Sequence, residues 1–215
     1  MISLILLFFT LAFLEVMLSG DNAVVLASIA KRLDNEEEQD KALNIGMIGS
    51  YILRVIVIVS GVWLFNLPVW GPIVKYLGAG YLIYLFIDFL MNKQEKEDNS
   101  KSSFWPVVTT IMLSDLAFSL DSATTALALT NNTYIILGAC LTGVIALRFL
   151  AGLFVKLIDQ FSRLETAGYI AVLLVGLQLI IKTYLDLEIP ELYDVAAIVA
   201  IFSWGFSKRT ELETI

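Results

Sequence analysis

The sequence predicts an all-α fold: a polytopic transmembrane bundle of seven helices, built as two inverted three-helix repeats with one further helix at the C-terminus. Three observations support this. Hydrophobic residues make up 58% of the 215 positions and charged residues only 16%, too few to clothe a soluble domain of that length. Apolar runs of roughly 20 residues, the length of a bilayer-spanning helix, recur along nearly the whole chain. Three short segments of the first half also return, in the same order, in the second.

The apolar runs cover residues 2–30, 44–65, 71–91, 104–130, 133–157, 166–185 and 192–207, and the chain reads as one transmembrane domain over 1–215. The opening "MISLILLFFTLAFLE" has no basic segment ahead of its apolar stretch, so it reads as the first helix and not as a cleaved leader. The separators are polar or contain Pro or Gly, as interfacial turns do. Two of them, "DNEEEQDK" and "KQEKEDNS", read as solvated loops and contribute much of the net charge of −7. The last run is the shortest. Basic residues set the orientation. With the N-terminus outside and the C-terminus inside, Lys75 and Lys182 alone face outward; Arg54 and Arg148 lie within helices, and the rest of the 14 basic residues face inward.

The repeat gives the architecture. "EVMLSGDNA" (15–23) matches "DLAFSLDSA" (115–123), pairing Glu15 with Asp115, Ser19 with Ser119, Asp21 with Asp121 and Asn22 with Ser122. "MIGSYILR" (47–54) matches "LTGVIALR" (141–148), pairing Arg54 with Arg148, and "AGYLIYL" (79–85) matches "AGYIAVL" (167–173). Repeat 1 spans about residues 2–91 and repeat 2 about 104–185. Three crossings is an odd number, so the second unit enters the membrane from the opposite side, a plan shared by many secondary transporters.

The matched segments place ionisable groups where the solvent is hydrocarbon, at about 2.5–3.5 kcal/mol each on insertion scales. Glu15, Asp21, Asp115 and Asp121 against Arg54 and Arg148 leave a formal charge of −2, which one divalent cation would cancel. Glu15, Ser19 and Asn22 share a helical face, as do Asp115, Ser119 and Ser122. Asp21 and Asp121 lie about 120° away on an ideal helix. Unwinding near "SGDN" would bring Asp21 into line, whereas "SLDS" has no glycine to ease a break.

A metal site built on these carboxylates, with amide and hydroxyl donors from the two stripes and with Ser19, Ser119 and the two arginines in support, is the sharper reading. Its donors are all oxygen, which suits Mn²⁺, Ca²⁺ or Mg²⁺. The plainer reading is a structural network in which the arginines neutralise the acids. Asp88 reads as an ordinary interfacial acid, and Cys140 as a small buried hydrophobe. With no histidine and one cysteine, the chain has no multi-Cys metal site and no internal disulfide. Nothing in it points to nucleic acid, to an organic cofactor or to a Walker A phosphate loop. An intramembrane aspartyl protease is a distant rival, because "LSGD" and "SLDS" are not the settings such enzymes use for their aspartates.

Taken together, the acid–x5–Asp-Asn motif and "DLAFSLDS" resemble the TerC family of integral membrane proteins. The resemblance implies a seven-helix inverted-repeat transporter of the bacterial cytoplasmic membrane, associated with manganese export and with metal supply to secreted proteins. It also implies Mn²⁺ as transported substrate and, carried over by motif, Glu15, Asp21 and Asn22 with Asp115, Asp121 and Ser122 as metal-site residues; the carboxylates themselves, and not the resemblance, make H⁺ the expected counter-ion. A non-transporting partner of secretion or metal-insertion machinery is the alternative expectation.

Overall fold

The structure is a computed structural model and describes residues 2–18, 20–64, 70–94, 102–130, 132–185 and 191–210. The described residues form eight helices: α1 Ile2–Leu18, α2 Gly20–Ala30, α3 Glu36–Leu64, α4 Trp70–Gln94, α5 Phe104–Leu129, α6 Thr133–Gln160, α7 Leu164–Leu185 and α8 Glu191–Gly205. Among them there is no strand, only an isolated bridge between Phe161 and Arg209. Stretches of α3, α4, α6 and α7 are long and apolar enough to cross a membrane, and α1, α5 and α8 carry shorter apolar stretches. The 26 residues of α5 nonetheless measure about 39 Å at 1.5 Å per residue, enough for a core about 30 Å thick.

The boundary that departs furthest from the sequence expectation is the start of α3; the run 2–30, expected as one helix, is described as α1 and α2 on either side of Ser19, and α4 and α6 each extend three residues past their apolar runs. The acidic segment read as a loop is helical from Glu36, so α3 begins two turns before the apolar run. Asn35 caps it, its Oδ1 accepting the Glu37 N–H at 2.9 Å. Glu36, Glu37 and Glu38 lie in the first turn, where the helix dipole favours negative charge. Lys41 then pairs with Glu37 at 2.6 Å, one turn on. Charge placement outweighs hydropathy at this end.

Close approaches at small residues give each helix its direction. Gly46 meets Ile111 and Gly49 meets Met112, so α3 and α5 run parallel. Gly138 meets Phe8 and Gly143 meets Glu15, so α1 and α6 also run parallel. Gly176 lies on Leu82 while Tyr169 stacks on Phe89 at 4.1 Å, making α4 and α7 antiparallel. Tyr51 donates to the Leu137 carbonyl and Arg148 reaches Asn44, making α3 and α6 antiparallel. Gly168 against Val24 and Glu165 against Ser28 set α7 antiparallel to α2. Gly205 beside Leu164 and Asp194 bonded to Gln178 do the same for α8 and α7.

The centre of the bundle is α2. Ala23 through Ala27, Ile29 and Ala30 are buried on every side, as befits a helix that is apolar all round. Outward faces are apolar as well: Leu6, Phe9 and Phe13 on α1 and Phe149 and Leu153 on α6 are exposed. Exposed apolar surface of this extent matches hydrocarbon, not water.

Candidate functional site: a buried carboxylate–guanidinium cluster

Glu15 from α1, Arg54 from α3 and Asp115 from α5 meet inside the bundle, with 6%, 3% and 0% of their surfaces exposed. Arg54 Nη2 donates to Asp115 Oδ1 at 2.8 Å, and Nη1 to Glu15 Oε2 at 3.4 Å. Ser50, one turn before Arg54 on the same face, donates its hydroxyl to Asp115 Oδ2. The Cys140 thiol of α6 points at Glu15 Oε1 from 3.5 Å. Arg54 Nε is buried without a hydrogen-bond partner. Two carboxylates share one guanidinium, so the trio carries a formal charge of −1.

Close packing makes the meeting possible. A side chain at Gly143 would place its Cβ 2.9 Å from the Glu15 Cβ, so only glycine lets α6 press onto α1 at the acid. At Gly46 a Cβ would fall 2.5 Å from Ile111, which fixes how closely α3 lies on α5.

Arg148, matched to Arg54 in the repeat, does not join this cluster. Its Nε donates to Asn44 Oδ1 at 2.6 Å, and its Nη2 pairs with Asp40. The reason lies in the facing helices. Asp40 and Asn44 stand on the early turns of α3, whereas the matched places on α6 hold Tyr134 and Gly138, which offer no acid. Arg148 therefore finds an acid near a helix end, and Arg54 finds its acids in the middle.

Of the other sequence-predicted site residues, Asn22 is buried on α2. Ser119 and Ser122 turn their hydroxyls onto their own helix, bonding the carbonyls of Leu116 at 2.8 Å and Ser119 at 3.1 Å. Helix α5 runs through Ser119–Ser122 without interruption, so the second motif is not unwound. Ser19 and the side chains of Asp21 and Asp121 lie outside the described residues. Among the described residues no three acidic, cysteine or histidine side chains form a metal-sized group.

Sequence reasoning missed Ser50 and understated Cys140. The i, i+4 spacing of Ser50 and Arg54 was a usable signal; no local pattern marks Cys140. A second polar cluster closes the end formed by the α2–α3 and α6–α7 turns. Arg32 pairs with Asp88 at 2.9 Å and donates to the Tyr169 hydroxyl at 3.2 Å. Burial works against the Arg32 charge, but Tyr169 and Asp88 outweigh it and raise its pKa. Ser28 donates to Glu165 at 2.9 Å, and Lys31 pairs with Asp159. A cleft of about 530 Å³ opens beside Arg32 and Asp88, walled by Tyr81, Trp105 and Thr109.

Apolar-faced helices closed around a buried charge cluster define a polytopic integral membrane protein. The chain matches the integral membrane protein TerC family over residues 2–211. It is 33% identical over 205 residues to the uncharacterized membrane protein YceF of Bacillus subtilis (strain 168), covering 90% of this chain and 77% of that one. It is 36% identical over 192 residues to YkoY of the same organism, covering 79% of this chain and 58% of the relative. The UPF0053 inner membrane protein YgdQ of Escherichia coli (strain K12) is 27% identical over 199 residues, 86% of this chain and 83% of that one. No solved structure matches the chain. This protein belongs to the TerC family of integral membrane proteins.

Proposed function

We propose that the protein is a secondary transporter that exports a divalent metal cation, Mn²⁺ foremost, across the bacterial cytoplasmic membrane in exchange for H⁺. The observation that carries this reading is the meeting of Glu15 and Asp115, each from a matched motif, at one buried point with excess negative charge. Acids held in the membrane interior mark ion pathways. The helix directions support seven crossings, with α1 and α2 forming the first and successive crossings alternating. The packing supports two inverted units: α3 lies on α5 as α6 lies on α1 and α2, and α4 lies on α5 as α7 lies on α2. Pairs α3–α6, α4–α7 and α2–α5 then join the units across a pseudo-two-fold axis.

In this mechanism the acids of both motifs, Asp21 and Asp121 included, replace part of the hydration shell of the ion. Rocking of one unit against the other exposes the site to each side in turn. Oxygen donors suit Mn²⁺, with Ca²⁺ and Mg²⁺ as competing substrates. The orientation is N-terminus out and C-terminus in, on the distribution of basic residues, and no catalytic step is involved. The name of YgdQ as an inner membrane protein agrees with the location.

The test is Mn²⁺ efflux from cells expressing wild type, Glu15→Gln, Asp21→Asn, Asp115→Asn or Asp121→Asn at matched membrane levels. Each substitution is expected to lower efflux by about tenfold or more, the equivalent of one lost charge-assisted contact of about 1.4 kcal/mol. Equal efflux in all five would remove the proposed role of the acids. A second reading, a non-transporting partner of secretion or metal-insertion machinery, is favoured by one observation: Arg54 already neutralises part of the acid pair. Everted vesicles separate the two readings, because a partner protein moves no Mn²⁺.

A further inference from the structure

We propose that Arg54 is a tethered counter-cation that competes with the transported ion and, together with the exchanged proton, lets the ion-free carrier return. The inference rests on the transport reading and concerns a positioning residue, not a ligand. Three features of the cluster support it. Arg54 Nη2 and Nη1 lie 2.8 and 3.4 Å from Asp115 Oδ1 and Glu15 Oε2. A divalent ion would take those oxygens at about 2.0–2.6 Å and stand beside the guanidinium in a medium of low dielectric, so the two cations repel and compete for the acid pair. Space is short as well: a Cβ at Gly143 would lie 2.9 Å from Glu15, and Met112 occupies the surface of Gly49.

The hold of Arg54 is also incomplete. Arginine binds a carboxylate best as a two-pronged fork on one acid. Here the fork is split, with one contact short, one long, and Nε buried without an acceptor. A donor left unsatisfied in a dry interior weakens the net hold on the group. Arg148, by contrast, engages Asn44 and Asp40 through Nε and Nη2. Arg54 is built to be displaced.

The consequence concerns charge in transit. With no ion, proton or arginine on them, Glu15 and Asp115 alone would cross the membrane interior with a charge of −2, and Asp21 and Asp121 would add to it. Arg54 removes one of these charges by swinging onto Glu15 and Asp115 as the ion leaves, so that fewer protons are needed to neutralise the returning site. The same residue therefore weakens ion binding and speeds the return of the ion-free, proton-loaded carrier. It reaches from α3 to Asp115 on α5, and so links the two proposed units whenever the ion is absent.

The full chain, wild type, Arg54→Gln or Arg54→Lys, is reconstituted into liposomes and two fluxes are measured. Exchange of radioactive Mn²⁺ against Mn²⁺ present on both sides needs only the loaded carrier to cross. Net efflux into Mn²⁺-free medium also needs the carrier to return without Mn²⁺, carrying the exchanged proton. In Arg54→Gln the half-saturating Mn²⁺ concentration for exchange should fall by about tenfold, while net efflux falls by a similar factor and exchange persists. Arg54→Lys keeps the charge without the fork; it should recover part of the net efflux and show an intermediate half-saturation. If Arg54→Gln does not elute as a single folded species, the Lys variant carries the test through its half-saturation, which must lie below that of wild type. Parallel loss of both fluxes in a folded variant, or unchanged half-saturation, overturns the role of Arg54. Wild-type vesicles that move Mn²⁺ in neither assay overturn the transport reading itself.

Discussion

Ser50 shows how much one hydroxyl can contribute at a buried acid. It donates to Asp115 Oδ2 while Arg54 takes Oδ1, so both oxygens of a carboxylate with no exposed surface are bonded from α3. Hydrogen bonds to charged groups contribute about 1.5–3 kcal/mol, and an unsatisfied buried acceptor costs a comparable amount. Ser50→Ala should therefore lower the stability of the detergent-solubilised protein by about 2 kcal/mol, read as a fall in its thermal midpoint. Ser114→Ala, on a serine that donates to the Thr110 carbonyl one turn back and meets the neutral Tyr81 hydroxyl but carries no charged partner in either contact, should fall less. Equal falls would mean that Ser50 acts on its own helix and not on Asp115. At this scale the sequence pointed to Glu15, Asp115 and Arg54, which the structure brings together, because an ionisable residue in an apolar run stands out; the side chains of Asp21 and Asp121 lie outside the described residues. It was silent on Cys140, whose place beside Glu15 follows from how α6 packs on α1 and from no local pattern.

Among the elements, the helices and most of their limits were legible because apolar length is a strong signal. The start of α3 was not. Hydropathy assigns "DNEEEQDK" to a loop, yet Asn35 and the three glutamates that follow supply a cap and dipole-matched charge. The extension matters beyond α3, because it carries Asp40 and Asn44 to Arg148 and so keeps that arginine out of the central cluster. Asn35→Ala removes the cap at a cost of about 1 kcal/mol. Hydrogen exchange at the Glu37, Glu38 and Gln39 amides should speed up by about fivefold, the equivalent of that energy, while amides near Arg54 keep their rates. A change confined to the region of Arg54 would show that the first turns of α3 do not depend on Asn35. Of the breaks considered in the two motifs, the first falls at Ser19, outside the described residues, and the second is absent. Helix α5 passes through the second without interruption, since "SLDS" contains no residue that disfavours a helix strongly enough to end one.

For the molecule as a whole, the repeat predicts a symmetric pair of arginines and the packing does not deliver one. Similar sequences fix which helices meet, but a single acid on α3, with tyrosine at the matched place on α6, sends the two arginines to different depths. The asymmetry has a counterpart in how the two segments are tied. Besides Arg54–Asp115, the ion pairs joining residues 2–94 to 104–185 among the described residues are Lys31–Asp159 and Arg148–Asp40. Both stand at the end formed by the α2–α3 and α6–α7 turns, with Ser28–Glu165 beside them. That end is latched in this structure, and on the proposed orientation it faces the cytoplasm. Cys140, buried and the only cysteine in the chain, is a native reporter of the latch. A membrane-impermeant thiol reagent on the cytoplasmic side should label it slowly in wild type. Partly exposed ion pairs contribute up to about 1 kcal/mol each, so Asp40→Asn combined with Asp159→Asn should weaken the latch by 1–2 kcal/mol and speed labelling about five- to thirtyfold. Addition of Mn²⁺ should slow it again as the ion fills the site beside Glu15. If the double variant labels no faster than wild type from the cytoplasmic side, but labels faster from the other, the latch closes the opposite face and the assigned orientation is reversed.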